Sequence, residues 1–269
     1  MPPVTPTSTR RIDVGAAQLH VEEFGRDAPP LLLLHGIGSS GNSWLPVIPQ
    51  LAARFRLIVP DWRGHGKSDK PPGGYLVGDY ADDLEGLLGA YSLDRPRILG
   101  HSLGGLVATE WASRHPAAAA RIALEDIPFR GGDARLFDDW IALASMTPEA
   151  AADHYRIDHP DWTDEERHRR AESITSTRLS VFTELRDHHG SDVGADLRIV
   201  DSLSASKAPI LLVHGDVESV GMVAQPDADR FASDVPLADV VRIPGGSHSL
   251  HRDASAAFIA AVLPFLLSD

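Results

Sequence analysis

Short apolar runs alternating with helix-patterned stretches constrain this chain more than any other feature of it. Leu31 to Leu34, Leu57 to Val59, Arg97 to Leu99, Ile122 to Leu124, Ile210 to Val213 and Val240 to Ile243 have strand length, and helix-like stretches near Ser43 to Arg54 and Asp79 to Tyr91 separate the first three. Parallel strands need long crossovers and bury both faces, so this alternation predicts a parallel sheet covered by helices on each side. Ahead of it, Arg11 to Asp13 and Leu19 to Phe24 predict two short antiparallel strands around a turn at Gly15, at the edge of the sheet. From about Phe129 to Ala205 the pattern turns to helices and loops, with helical stretches over Asp133 to Ser145, Asp164 to Ser173 and Leu179 to His188. The expected organisation is an α/β core over 1–128 and 206–269, a doubly wound and mostly parallel sheet of eight strands, with a helical lid inserted at 129–205.

Ligands of such sheets bind beyond the carboxyl ends of the strands, and there the chain carries its chemistry-bearing residues. The run ending at Leu99 feeds Gly100-His101-Ser102-Leu103-Gly104, and Leu103, Leu106, Val107 and Trp111 leave it at helical spacing. A strand, a sharp turn and a helix place Ser102 in a strained conformation at a helix N-terminus, where unpaired amides favour developing negative charge. Gly100 and Gly104 fit this turn because side chains there would strike the neighbouring strand or helix. A serine that merely caps the helix would need neither glycine.

In this combination the chain resembles the alpha/beta-hydrolases. His35-Gly36-Ile37-Gly38, after Leu34, is similar to the family's loop after its third strand, which implies an oxyanion hole from the amides of Ile37 and Leu103. Asp61 to Ser68 resembles the Asp-x-Arg-Gly-x-Gly-x-Ser loop of lid-bearing members and is expected to shape the pocket floor. Pro244-Gly245-Gly246-Ser247-His248 matches the glycine-rich loop on which the family carries its histidine, so His248 is the expected general base for Ser102. His251 nearby is the competing imidazole, while His35 and His101 are expected to be structural. Two positions compete for the acid. Many relatives place an aspartate where Glu218 stands in His214-Gly215-Asp216-Val217-Glu218, and others place it after the sixth strand, where Asp126 follows Glu125. Asp126 is preferred, since a short carboxylate at a strand end is held more rigidly; Glu218 is the alternate, and Asp216 and Glu125 are lesser candidates.

A formal charge of -13 repels phosphate backbones and anionic lipid alike, which argues against nucleic acid and membrane partners. The short basic cluster Arg167 to Arg170, preceded by Asp164, Glu165 and Glu166, reads as a solvated helix face with pairs one turn apart. No cysteine is present, which removes disulfides, thiolate metal sites and a cysteine nucleophile. Met1 to Arg11 lacks the apolar core of a secretion signal, and the expected compartment is the cytoplasm. Ala256 to Leu267 is too short to span a bilayer and reads as a buried terminal helix. His188 with His189, and Asp153 with His154, lack a third ligand at helical spacing, so no metal or other cofactor is expected. Trp140, Met146, Tyr155, Trp162 and Phe182 are expected mostly to fasten the lid to the core.

The resemblance implies a serine hydrolase that cleaves carboxylic esters or lactones of small, fairly apolar molecules through an acyl-enzyme. A serine at position 102 argues against the haloalkane dehalogenases and epoxide hydrolases, which use an aspartate there. The alternatives are a carbon-carbon bond hydrolase of vinylogous diketones using the same triad, and a small-molecule receptor built on the hydrolase scaffold.

Overall fold

The computed structural model describes residues 4–131, 134–160, 162–189, 197–219 and 221–268, with the side chains of His189 and Ser219 left out. The strands are β1 (Ser8–Asp13), β2 (Gln18–Phe24), β3 (Pro30–Leu34), β4 (Arg56–Pro60), β5 (Arg97–His101), β6 (Arg121–Glu125), β7 (Ile210–His214) and β8 (Ala238–Arg242). They form one eight-stranded sheet in the order β1-β2-β4-β3-β5-β6-β7-β8. The first two pairings, β1 with β2 and β2 with β4, are antiparallel, and every later one is parallel. The doubly wound, mostly parallel sheet expected from the alternation is therefore present.

The alternating side chains of the central strands build two cores. Leu32, Leu34, Ile98, Ile122, Leu124, Ile210 and Leu212 pack on one face, against Tyr80, Leu84 and Leu87 of α2 (Val77–Ala90) and Val107 and Trp111 of α3 (Leu103–Arg114). Leu31, Leu33, Leu57, Leu99, Ala123, Leu211 and Val213 pack on the other, against Leu51 of α1 (Ile48–Ala52) and Phe258, Val262 and Leu266 of the last helix, Ser255–Leu267. Both faces of the sheet are dry, as continuous apolar strands require. Among the described residues no helix is long and apolar enough to cross a membrane.

The stretch near Ser43 to Arg54 departs from the single helix expected. It forms one 3-10 turn, Gly41–Trp44, and the short α1, because Pro46 and Pro49 lack the amide hydrogens a continuous helix would use. Between β6 and β7 the described residues form five helices and no strand: α4 (Ala134–Ala144), α5 (Pro148–Asp158), α6 (Asp164–Thr175), α7 (Leu179–His189) and α8 (Ile199–Leu203). Asp133, the expected start of α4, lies outside the described residues. α5 escaped the periodicity, although its start is marked locally: Pro148 occupies the first turn and Thr147 Oγ1 accepts from the Ala150 amide at 3.2 Å. Leu143, Ala151, Tyr155, Ile174 and Phe182 give these helices a core of their own, against which Ile37 packs. α9 (Gln225–Asp234) links β7 to β8, and a single turn, α10 (Leu250–Asp253), precedes the terminal helix, α11.

Candidate active site

The turn after β5 has the predicted geometry. Ser102 adopts φ 50 and ψ -117, a strained combination for a residue with a side chain, and remains only 7% exposed. Both flanking glycines are enforced by close backbone approach. A Cβ on Gly104 would lie 2.2 Å from the Leu34 carbonyl oxygen of β3, and one on Gly100 would lie 2.6 Å from the Gly104 carbonyl oxygen. The turn is fixed to the next strand by a bond from the Ser102 amide to the Glu125 carbonyl at 3.1 Å.

Of the two leading carboxylates, Asp126 is the one that meets His248. His248 Nδ1 donates to Asp126 Oδ2 at 2.7 Å, so Nε2 is the nitrogen left to accept a proton. Asp126 is fully buried, and its oxygens also accept from the amides of Gly215 at 3.2 Å and Met222 at 2.8 Å. Its backbone is left-handed, at φ 42, and its own amide bonds the Val213 carbonyl at 2.8 Å, which points the side chain off the end of β6. Glu218 stands exposed in the turn Val217–Ser219. Asp216 pairs with Arg242 at 2.5 Å and accepts from the Gly245 amide at 2.8 Å, and it braces the loop that precedes His248.

Glu125 takes the other imidazole. Its carboxylate, fully buried, accepts from both the amide and Nδ1 of His251, each at 2.8 Å. His101 lies between the two histidines, with ring centroids 4.6 Å from His248 and 5.0 Å from His251, and its Nε2 donates to the His248 carbonyl at 2.8 Å. Burial pushes the His101 imidazole well below its ordinary pKa, and the neighbouring histidines add to the shift. Among the described residues, His101, Glu125 and His251 are the one group of three His or acidic side chains close enough for a metal. Glu125 and His251 Nδ1 are already bonded to each other, while His251 Nε2 is buried without a hydrogen-bond partner among the described residues. Of the pairs weighed in the sequence, Asp153 bonds Arg156 and His154 bonds Asp158, and the His189 side chain lies outside the described residues.

The Asp61 to Ser68 loop does not form the pocket floor expected of it. Its residues brace the His35 to Gly38 loop instead: Asp61 accepts from the Gly41 amide at 2.8 Å and His65 Nε2 from the Gly38 amide at 3.1 Å. The Trp62 amide donates to His35 Nε2 at 3.0 Å. The amides of Ile37 and Leu103 are engaged with no acceptor among the described residues.

Ser102, His248, Ile37 and Leu103 line one cavity of about 750 Å³, enclosed on its far side by the inserted helices. Four of the five large side chains expected mainly to fasten those helices, Trp140, Met146, Tyr155 and Trp162, line it as well. Phe182 alone is fully buried in the helical core. The basic cluster is also not the solvated face anticipated. Arg167 is buried and donates to the Pro160 carbonyl at 2.8 Å, while Arg170 lines the cavity and donates to the Gly38 carbonyl. Sequence reasoning passed over Arg252, which lines the same cavity from α10. Its position four residues after His248 was the available signal.

Residues 29–172 match the family model described as the alpha/beta hydrolase fold. This chain belongs to that family. Among full-length relatives, the alpha/beta hydrolase 2-(acetamidomethylene)succinate hydrolase of Mesorhizobium japonicum is 29% identical over 279 residues, covering 96% of this chain and 95% of its own. The putative carbamate hydrolase RutD of a Caulobacter species is 28% identical over 261 residues, covering 90% of this chain and 92% of its own. The crystal structure of N-formylmaleamic acid deformylase from Pseudomonas putida superposes with a TM-score of 0.81 at 26% identity, over 95% of this chain and all of that one (100%).

Proposed function

We propose that this alpha/beta hydrolase is a serine hydrolase that cleaves carboxylic ester or lactone bonds of small molecules through an acyl-enzyme. The observation that carries the reading is the 2.7 Å bond from His248 to a fully buried Asp126, in the same cavity as a serine held in a strained turn. In this mechanism His248 Nε2 takes the Ser102 proton as Oγ attacks the substrate carbonyl, and the negative charge moves to the carbonyl oxygen. The unengaged amides of Ile37 and Leu103 receive that oxygen. Collapse breaks the bond to the leaving group, which departs with the proton from His248. A water deprotonated by the same nitrogen then releases the acid and restores Ser102. Asp126 orients the imidazole and stabilises its charged form.

The names of the relatives favour one widening of bond type. A relative named as a putative carbamate hydrolase and a deformylase of this fold and length support acyl-nitrogen bonds as substrates beside esters and lactones. The chemistry at Ser102 is the same for both. The inserted helices 129–205 act as the lid in this reading, since they close the cavity over Ser102.

The test is turnover of p-nitrophenyl esters, lactones and matched amides by wild type and three variants. Ser102→Ala lowers kcat by about 10⁴- to 10⁶-fold with the fold intact. Asp126→Asn costs about 10⁴-fold and Glu218→Gln costs less than about threefold. Equal losses in the two carboxamide variants, or hydrolysis that survives Ser102→Ala, overturn the reading.

A further inference from the structure

The mechanism leaves two arginines of the cavity wall, Arg252 and Arg170, unused. Arg252 Nε, the Tyr155 hydroxyl and the Ser43 hydroxyl are each buried without a hydrogen-bond partner among the described residues, and all three residues line the cavity. Arg170 joins them there. The Arg252 guanidinium lies 4.8 Å from the Trp162 ring centroid and donates through Nη2 to Ser249 Oγ at 2.7 Å. The Arg170 guanidinium lies 5.6 Å from the Tyr155 ring centroid.

Two guanidinium groups thus share one wall, and the carboxylates nearby are committed elsewhere. Asp253 accepts from Ser247, Glu125 holds His251, Glu166 caps α6 through Thr163, and Asp158 pairs with His154. Neither arginine has a carboxylate within ion-pair distance among the described residues. Burial and then Arg170 push Arg252 below its ordinary pKa, while Asp253 and Glu125 oppose the shift from beyond ion-pair distance. Burial, followed by Arg252, does the same to His159, whose ring stacks on Trp162 at 3.9 Å. Guanidinium charge withdrawn from water and lacking an ion pair is costly, and a cavity wall that carries two such groups favours an anionic ligand.

We propose that this wall is a carboxylate subsite, so that the molecule hydrolysed at Ser102 carries a free carboxylate received by Arg252 and Arg170. The planar fork of each guanidinium suits a carboxylate. Arg252 stands four residues beyond His248, in the short helix that follows it, and Arg170 holds the carbonyl of Gly38, next but one to Gly36 and adjacent to Ile37. The anion therefore binds on the oxyanion-loop side of the reacting carbonyl, which selects monoesters, lactones or monoamides of short dicarboxylic acids. The inference rests on the acyl-transfer reading and names its substrate class.

The experiment compares mono-p-nitrophenyl glutarate with the same ester capped as its methyl ester, in wild type, Arg252→Gln, Arg252→Lys and Tyr155→Phe. Wild type prefers the charged ester, and the preference shrinks with added salt. Arg252→Gln lowers the charged-to-neutral ratio of kcat/KM by about ten- to a hundred-fold, chiefly through KM, with part of the loss recovered in Arg252→Lys. A ratio unchanged by Arg252→Gln overturns the subsite. Calorimetry on Ser102→Ala provides a readout that needs no turnover: glutarate binds, glutaramide does not, and adding Arg252→Gln abolishes the heat. Absence of glutarate binding refutes the subsite even in an active hydrolase. Glutarate binding in a wild-type protein that turns over no acyl substrate supports the subsite and sinks the acyl-transfer reading. Should Arg252→Gln fail to fold, as judged by circular dichroism, Tyr155→Phe and Arg170→Gln carry both tests.

Discussion

Acidification to about pH 5 should destabilise this fold before most of its carboxylates titrate, because three buried histidines are built to stay neutral. His35 Nε2 accepts from the Trp62 amide at 3.0 Å while its Nδ1 donates to the Gly36 carbonyl at 2.8 Å. His65 repeats the arrangement, with Nε2 accepting from the Gly38 amide at 3.1 Å and Nδ1 donating to the Arg63 carbonyl at 3.0 Å. A proton on either Nε2 would set two donors against each other in a dry site. Burial lowers the pKa of both rings, and proximity to His35 lowers that of His65 further. His101 is lowered by burial and by His248.

The sign follows from proton counts. Below about pH 6.5 the unfolded chain takes up more protons on these residues than the folded one, so stability is complete above that pH and falls as pH falls. Each histidine contributes a slope of about 1.4 kcal/mol per pH unit, and three give about 4 kcal/mol per unit. Between pH 7 and 5 the loss reaches about 6 kcal/mol if all three stay neutral, a large share of the stability of an ordinary domain. Asp69 and Asp216 are held below the usual carboxylate range, by the Gln18 amide and by Arg242 respectively, and add their losses only below about pH 4. Urea unfolding followed by tryptophan fluorescence across this range measures the slope. His65→Gln keeps an acceptor for the Gly38 amide without titrating and should flatten the slope by about one proton. A wild-type slope equivalent to less than one proton refutes the argument.

Two further outcomes concern the scaffold. Gly104→Ala drives a methyl group into the Leu34 carbonyl 2.2 Å away and should cost at least about 3 kcal/mol, read as a fall in Tm together with lost turnover, since the turn carrying Ser102 must move. Asp83→Asn leaves Arg63, which donates to it at 2.5 Å within the core, without its counter-ion and should cost about 3 to 5 kcal/mol in urea unfolding. Asp82→Asn removes only an exposed partner of Arg114 and should cost under about 1 kcal/mol in the same assay.

The sheet was legible because central parallel strands bury both faces and therefore read as unbroken apolar runs, as Leu31 to Leu34 and Ile210 to Val213 do. Helices that combine prolines with capping residues were less so. Pro46 breaks an apparent helix, whereas Pro49 and Pro148 each stand in the first turn of one, and only at Pro148 does a capping hydroxyl, that of Thr147, mark the start. The cavity wall was the least legible part. Tyr155, Arg170 and Arg252 belong to three helices whose mutual placement is tertiary, and charge pattern alone assigned Arg170 to solvent. Periodicity reports which face of a helix is apolar. It does not report that a polar face closes over a cavity.

The spacing of the candidate triad has a backbone origin that explains why Asp126 rather than Glu218 meets His248. Each strand-end loop is bonded to its neighbour by continuing the parallel ladder: the Ser102 amide to the Glu125 carbonyl, the Asp126 amide to the Val213 carbonyl, and the Ile243 amide to the His214 carbonyl at 2.9 Å. Residues that directly follow a strand inherit its register, and Asp126 is such a residue. Glu218 follows β7 only after Gly215, Asp216 and Val217, beyond the reach of that ladder. Glu125 completes the arrangement from one residue earlier, on the opposite side of the strand. Alternation turns its carboxylate away from His248 and toward the amide and ring of His251, so adjacent carboxylates of one strand end hold the two ends of a single histidine loop. The glycines before His248 let that loop turn back over β7, where the Asp216 amide bonds the Gly246 carbonyl at 2.9 Å. The two carboxylates thus anchor the loop at His248 and at His251, three residues apart, and leave little freedom to the imidazole between the glycines and α10.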